Sequence, residues 1–206
     1  MTLKDAHKII RSLAHQALRH RVRGQYRDAE ALYVKALRLA EQILGETDVE
    51  LARLSNEVAI LYKYTGRFDG ARRLYLRALR IFKTCSGPDP MDLAAVYHNI
   101  GGLEHARGRY RRAEPFARRS VAIREKALGE NHQTTAADIA ALAAILEAHR
   151  KYEEAERLYR RALAIFEHAL DRNTTKLQST STIWAVSASP QEEWIRPKIS
   201  TDAPWQ

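Results

Sequence analysis

The sequence predicts an all-α protein built from four stacked helix-turn-helix units. Three observations predict this fold. A pattern of small residue, aromatic residue and alanine recurs every 42 residues. Apolar residues within each repeat follow the 3.6-residue period of an α-helix, and glycine and helix-capping residues recur between the apolar stretches. Self-similarity at such a period is typical of solenoids, whose units are each too small to bury their own apolar face.

The length and composition are those of a globular chain. It has 206 residues, of which 45% are hydrophobic and 29% charged, and its formal net charge is +9. No stretch approaches the roughly 20 apolar residues of a membrane-spanning helix, and the first residues lack the apolar core of a secretory signal. A single cysteine, Cys85, excludes an intramolecular disulfide and a cysteine zinc site. We therefore expect a cytoplasmic protein.

The repeat defines the boundaries of the units. Its turn is marked by Gly24, Gly66 and Gly108, and Arg150 holds the equivalent place in the last unit. An aromatic residue follows each turn residue closely, and an alanine comes after it. This register divides the array into units of about residues 4–46, 47–88, 89–130 and 131–170.

Each unit is predicted to contain two helices in a fixed order. The first helices should begin at Thr47, Asp89 and Asn131, which are N-cap residues spaced by 42, and Glu50 and Asp92 are placed to complete capping boxes. A glycine then allows the positive φ of a tight turn between the paired helices. The second helix follows, with apolar residues at helical spacing over a broad buried face.

The two ends of the array differ from its middle. In the first helix of unit one, apolar residues of the later units are replaced by Gln16, Arg19 and His20. This predicts a more polar, solvated surface at this end of the array. After residue 170 the chain becomes rich in serine, threonine and proline, so residues 171–206 are predicted to form a disordered tail. The tail holds all the tryptophans of the protein, Trp184, Trp194 and Trp205.

The combined motifs resemble the tetratricopeptide repeat, in the long 42-residue version of kinesin light chains. The best match is unit two, with residues 56–62 (NEVAILY), 66–71 (GRFDGA) and 74–79 (LYLRAL). The resemblance covers about residues 4–170. It implies a right-handed α-solenoid whose first helices line a concave groove for a peptide. It also implies a non-enzymatic adaptor without a cofactor.

The resemblance indicates which residues face this groove. The groove is expected to be basic in its first half and lined by small residues in its second half, which suits an acidic or mixed acidic-aromatic peptide. Alternatively, the small residues only let the helices pack closely. The candidate peptide-binding residues are Arg11, Arg21, Arg53, Asn56, Lys63, Tyr64, His98, Asn99 and His105.

The sequence contains no recognisable catalytic motif. A phosphate-binding glycine loop, a nucleophile elbow and a His-Glu-x-x-His pair are all absent from it. His98 and His105 are too far apart along one helix to hold a metal ion without other ligands. The sequence therefore predicts a binding protein with no catalytic site, metal or cofactor.

A row of basic residues on the second helices, called here the basic ladder, would allow a different kind of partner. Lys35, Arg77, Arg119 and Arg161 are spaced by 42, and a continuous basic stripe there would suit nucleic acid or another polyanion. A solvated charged face is the simpler interpretation. Nucleic acid is therefore the alternative and not the expected partner.

The tail contains a candidate ligand for the groove. Glu192, Glu193 and Trp194 resemble the tryptophan-acidic peptides that kinesin-light-chain grooves accept, so this segment is predicted to occupy the groove through Trp194. The rival interpretation places residues 183–186 over the apolar face that the last helix leaves uncovered.

Overall fold

A computed structural model describes residues 2–85, 87 and 89–179, with side chains described as far as residue 170. This part of the chain forms eight α-helices and no strand, which confirms the all-α prediction. The helices are α1 (Leu3–Val22), α2 (Tyr26–Ile43), α3 (Val49–Tyr64), α4 (Phe68–Thr84), α5 (Pro90–Ala106), α6 (Tyr110–Leu128), α7 (Gln133–Ala148) and α8 (Tyr152–Ser179).

The helices pack in consecutive pairs that stack into a solenoid. Each first helix (α1, α3, α5, α7) packs along the second helix that follows it (α2, α4, α6, α8). Consecutive first helices also approach each other closely, whereas in the described residues the second helices of neighbouring units lie farther apart and meet through long side chains such as Arg77 and Glu41. The array therefore curves toward the first helices, which form its inner face, and the second helices form its outer face.

The turns between paired helices use the left-handed backbone conformation. Gly24, Gly66 and Gly108 have φ values of 74°, 75° and 69°, as their 42-residue spacing predicts. Arg150 takes the same place in unit four with a φ of 64°. A side chain in this region is strained, because its Cβ approaches the backbone carbonyl. The backbone of the repeat is thus kept in unit four even where its glycine is lost.

The starts of the first helices depart from the predicted N-caps in two places. Asp89 caps α5 through a hydrogen bond from the Met91 backbone N–H, as predicted. Thr47 and Asn131 do not cap α3 and α7. Those helices are capped one residue later, by Asp48 and His132.

A tight turn explains this shift. The Asp48 N–H donates to the Gly45 carbonyl oxygen at 3.0 Å, so Thr47 lies inside a turn and Asp48 is the first extended residue. The predicted capping box at Glu50 is also wrong, because the Glu50 backbone N–H donates to Asp48. A capping box does form at the start of α1, between Thr2 and Asp5.

Buried small residues let the paired helices approach closely. Ala29, Ala71 and Ala113, at equivalent positions of the second helices, are all fully buried. A Cβ added to Gly101 on α5 would lie 3.4 Å from the backbone nitrogen of Ala117 on α6. The repeated alanines and this glycine therefore fix the distance between first and second helices.

The last helix exposes positions that the other units bury. Tyr159 is 38% exposed and Leu163 is 56% exposed, whereas the equivalent Tyr75 and Leu79 of unit two are 0% and 7% exposed. The reason is that no further unit packs on α8 in the described part of the chain. Helix α8 itself continues to Ser179, beyond the residue 170 at which the tail was predicted to start. The predicted tail contacts of Trp194 and of residues 183–186 lie outside the described residues.

Candidate peptide-binding groove

All nine predicted groove residues lie on the first three of the first helices. These three helices contact one another in order, so the nine residues lie on neighbouring helices of the inner layer. They do not form one pocket. Only Arg53 and Asn56 line the cavity of about 330 Å³ on this side, whose apolar walls come from Ala14, Leu18, Leu54, Ala95 and Val96.

Two arginines of the groove are held by carboxylates from the next unit. Arg11 on α1 donates to Glu50 at 3.0 Å, and Arg53 on α3 donates to Asp92 at 2.8 Å. Each pair joins residues 39 positions apart, so the contact repeats with the array. The hydrogen bond to Asp92 raises the pKa of Arg53, which keeps the guanidinium charged.

In these ion pairs the carboxylate is more buried than the guanidinium. The side chains of Arg11 and Arg53 are 56% and 44% exposed, whereas that of Glu50 is only 10% exposed. The carboxylate therefore lies beneath and the guanidinium faces the groove, where its remaining N–H groups can reach a ligand. Glu50 and Asp92 were absent from the predicted groove residues, although their own 42-residue spacing is a signal that could have found them.

The middle of the groove is a polar contact between α3 and α5. The Asn99 amide donates to the Asn56 carbonyl oxygen at 2.9 Å, so these two predicted residues do meet. His98 instead turns toward α7, with its Nδ1 2.7 Å from the Asp138 carboxylate. His98 is thus held in the junction between units three and four.

Asp138 is the centre of a buried polar cluster that was not predicted. It is almost fully buried, and Arg124 Nε lies 2.8 Å from its second carboxylate oxygen. The Ser120 hydroxyl also donates to it. The equivalent residues of the two preceding units are Leu54 and Val96, so an aspartate in an apolar position of the repeat was the available signal.

A basic column runs along the turn ends of the first helices. Arg21, Lys63 and His105 occupy the same repeat position in units one to three. Arg21 is buried and pairs with Glu57 at 3.1 Å. Burial, helped by the charge of Arg21, lowers the pKa of Lys63 to about 8. Burial and the charge of Lys63 lower the pKa of His105. The three groups are therefore close enough to influence one another.

Tyr64 adds an aromatic surface at the edge of this column. Its ring stacks on that of Tyr26, with centroids 6.4 Å apart and planes 7° from parallel. The Lys63 ammonium lies 5.6 Å from the Tyr64 ring centroid. Tyr64 stays partly exposed at this edge.

The basic ladder of the outer face is partly neutralised. Arg77 pairs with Glu41, and Arg161 donates to Glu125 at 2.7 Å. Arg119 lies over the Tyr97 ring, 5.8 Å from its centroid. In the two ion pairs the carboxylates are about as exposed as the arginines. The ladder is therefore not a continuous cationic stripe.

The described residues contain neither a candidate metal site nor a candidate membrane span. No group of three or more histidine, cysteine, aspartate or glutamate side chains could hold a metal ion there. No helix among those residues is both long and apolar enough to cross a membrane.

A solenoid of helical pairs with a continuous inner face is the architecture of a helical-repeat interaction protein. The particular repeat is identified by sequence, because the family model of the tetratricopeptide repeat matches residues 9–84 and 92–168. The chain belongs to the tetratricopeptide repeat family. Repeats of this family generally mediate protein-protein interactions, and they typically serve as non-enzymatic scaffolds.

Solved structures support the same fold. The crystal structure of BtubC (BKLC) from P. vanneervenii is similar with a TM-score of 0.69 and 23% identity, over 86% of this chain and 67% of that one. A protein of nearly identical TPR-like repeats from Podosopora anserina, described as a kinesin light chain, has a TM-score of 0.63 and 23% identity, over 78% and 76% of the two chains. A comparison with curated proteins finds no match.

Proposed function

We propose that this protein is an adaptor whose groove binds an acidic or mixed acidic-aromatic peptide. The observation that carries the proposal is the repeated ion pair of the inner face, Arg11 with Glu50 and Arg53 with Asp92. The buried carboxylate of Glu50 and the half-buried carboxylate of Asp92 each hold a guanidinium that is more exposed than they are. An arginine fixed in this way loses little conformational freedom when a ligand carboxylate binds to it.

The cavity beside Arg53 can bind an apolar side chain of the same peptide. Ala14, Leu18, Ala95 and Val96 form its walls, and its volume of about 330 Å³ can take an aromatic ring. Glu50, Glu57 and Asp92 also line the cavity, and each of these carboxylates is paired with an arginine. A guanidinium beside apolar walls suits a peptide in which an acidic residue neighbours an aromatic one. We propose the cytoplasm as the place of action, because the lone Cys85 has no partner cysteine that an oxidising compartment would join to it.

The test compares two arginines that make the same kind of contact on opposite faces. A fluorescent peptide with the sequence of residues 190–197 (PQEEWIRP) is titrated with the protein, and binding is measured by anisotropy. Arg53→Gln should weaken binding by about tenfold, the usual effect of losing a charge-assisted hydrogen bond. Arg77→Gln, which breaks an ion pair on the outer face, should leave the affinity unchanged.

The same two variants distinguish the peptide groove from nucleic-acid binding. Binding of random-sequence DNA or RNA to the outer face would be weakened by Arg77→Gln and spared by Arg53→Gln. It would also fall steeply with salt. That ranking would contradict the proposal.

We further propose that the tail segment around Trp194 is a ligand for this groove. Deleting residues 187–206 should then tighten peptide binding, because an internal competitor is removed. The melting temperature should hardly change. A lower melting temperature with unchanged affinity would instead indicate that the tail covers α8.

A further inference from the structure

We propose that the exposed side of α8 is a dimerisation surface, on which a second copy of this chain packs its own α8 in the antiparallel direction. The surface lies on unit four, whereas the Arg53 cavity lies among units one to three. The proposal is argued from the residues of α8 and does not depend on the proposed peptide groove.

The surface is an apolar stripe along one side of α8. It consists of Tyr152, Tyr159, Leu163 and Leu170, all of which are exposed. Their spacings of seven, four and seven residues are those of the a and d positions of a coiled-coil heptad. At 1.5 Å per residue the stripe is about 27 Å long. An open cavity of about 410 Å³ lies beside its first half, where it can receive an apolar side chain of the second copy.

The earlier units bury the residues that correspond to this stripe. Tyr33 and Tyr75, the equivalents of Tyr159, are fully buried, and so is most of Leu44, the equivalent of Leu170. In those units the next helical pair packs on the second helix. Unit four therefore keeps the residue types of a packing surface, although no further unit covers them in the described part of the chain.

The other end of the array does not match this stripe. Val58 and Leu61 of α3 are fully buried, but the equivalent residues of α1 are Gln16 and Arg19. Burying an arginine without a counter-charge is costly, so head-to-tail stacking of unit one on unit four is disfavoured. The surface of a second copy that matches the stripe is the stripe itself, which gives a closed dimer around a two-fold axis.

The charges beside the stripe favour the antiparallel direction. Arg160 and Glu167 follow the stripe on its solvent side, and both are exposed. In an antiparallel pair centred between residues 163 and 164, Arg160 of each copy lies opposite Glu167 of the other. The two Leu163 side chains then meet near the axis. A parallel pair would instead place Glu156, which interrupts the stripe, opposite its own copy, and like charges repel.

Arg160 can make this contact without losing a strong one. It pairs with Glu156 at 2.6 Å within the same helix, but both side chains remain largely exposed. An exposed ion pair at this spacing contributes little to stability. The guanidinium also has further N–H donors, so it can bind Glu167 of a second copy in addition to Glu156.

The experiment measures the mass of the full chain by sedimentation equilibrium over a wide range of protein concentration. A salt concentration of about 0.15 M screens the repulsion between two copies that each carry a net charge of +9. We expect a reversible equilibrium whose limiting mass is twice that of the 23.5 kDa chain. Leu163→Glu should shift the protein to the monomer and leave its helical circular dichroism unchanged, because the side chain is exposed in the monomer.

Charge reversal tests the antiparallel arrangement. Arg160→Glu and Glu167→Arg, each alone, should weaken dimerisation by about tenfold, because each change places like charges together twice in the dimer. The variant with both changes restores opposite charges and should recover dimerisation. The matched control is Arg157→Glu, which makes the same charge change at an exposed position of α8 away from the stripe. It should have no effect.

Several results would overturn the proposal. They are a mass that grows beyond the dimer, as head-to-tail stacking would give, a dimer that survives Leu163→Glu, and a double charge reversal that fails to recover dimerisation. A full chain that stays monomeric also overturns it, and dimerisation only after deletion of residues 187–206 would identify the tail as the occupant of the surface. The peptide groove is tested separately by Arg53→Gln, so it can stand when the dimer fails.

Discussion

Arg53 of α3 donates to Asp92 of α5 across 39 positions of sequence, at 2.8 Å, and Arg11 repeats the contact with Glu50 one unit earlier. The pair links two neighbouring first helices on the inner face. The ion pair joins adjacent units, and it also orients a cation toward the groove. These two effects can be measured separately.

The first prediction concerns the stability that this pair contributes. Arg53→Gln, Asp92→Asn and the double variant form a double-mutant cycle. The coupling energy should be below about 1 kcal/mol, because the guanidinium is partly solvated and the charges are screened. Urea denaturation followed by circular dichroism measures it. A coupling of several kcal/mol would mean that the pair is mainly a structural lock between units.

The second prediction concerns the buried cluster around Asp138. Asp138→Ala should cost about 3–5 kcal/mol, because it leaves the largely buried Arg124 without its counter-charge. Asp138→Val combined with Arg124→Phe installs the residues found one repeat earlier, which are Val96 of unit three and Phe82 of unit two. This double variant should be close to the parent in stability. Urea titrations of both variants provide the comparison.

The result of that comparison has a clear interpretation. If the double variant is destabilised as much as Asp138→Ala, the cluster does more than balance buried charges. Retained stability together with weaker peptide binding would indicate that the cluster serves to position His98, whose Nδ1 is 2.7 Å from Asp138.

The third prediction is a pH dependence that belongs to Lys63. Its pKa in the folded protein is about 8, below the ordinary value of 10.5, mainly because of burial and secondly because of Arg21. Between these two values the unfolded chain binds more protons than the folded one, so stability should rise with pH across this range. The groups facing Lys63 include Arg21, Tyr64 and His105.

Melting temperatures measured from pH 7 to about 10 test this, since tyrosines and other lysines begin to titrate near there. The Lys63→Met variant lacks the titrating group. The amount by which its melting temperature exceeds that of the parent chain should therefore shrink as the pH rises above about 8. An advantage that is constant across the range would show that Lys63 is not the group responsible.

The fourth prediction uses the turn that lost its glycine. Arg150 has a φ of 64°, a region that costs a side chain about 1–2 kcal/mol. Arg150→Gly should recover part of this strain and stabilise unit four, although glycine also adds entropy to the unfolded chain. Gly108→Ala, at the same repeat position with a φ of 69°, should destabilise by a similar amount.

Thermal unfolding of these two variants should therefore move in opposite directions. A matched control is available at Gly45, whose added Cβ would meet no neighbour and whose φ is not in the left-handed region. Gly45→Ala should change stability little. A loss with Gly45→Ala equal to that with Gly108→Ala would remove backbone strain as the explanation.

The sequence by itself determined the repeat, the order of the helices and the position of the turns. Gly24, Gly66 and Gly108 could be interpreted because a positive φ is a local requirement that few residues other than glycine meet. The N-caps at Asp48 and His132 were missed by one residue, because a turn starting at Gly45 or Gly129 decides which residue is first extended. Local sequence signals therefore predict the presence of a helix better than they predict the residue at which it begins.

Only the tertiary structure decided what the groove residues contact. The sequence placed Arg53 and His98 on the first helices, but their partners Asp92 and Asp138 come from the next unit along the array. Which side chains meet across two helices depends on the distance and rotation between the units, and these follow from how the buried alanines, tyrosines and Gly101 pack. Packing of the whole array, not the pattern of one repeat, therefore determines where charge is neutralised and where it stays available to a ligand.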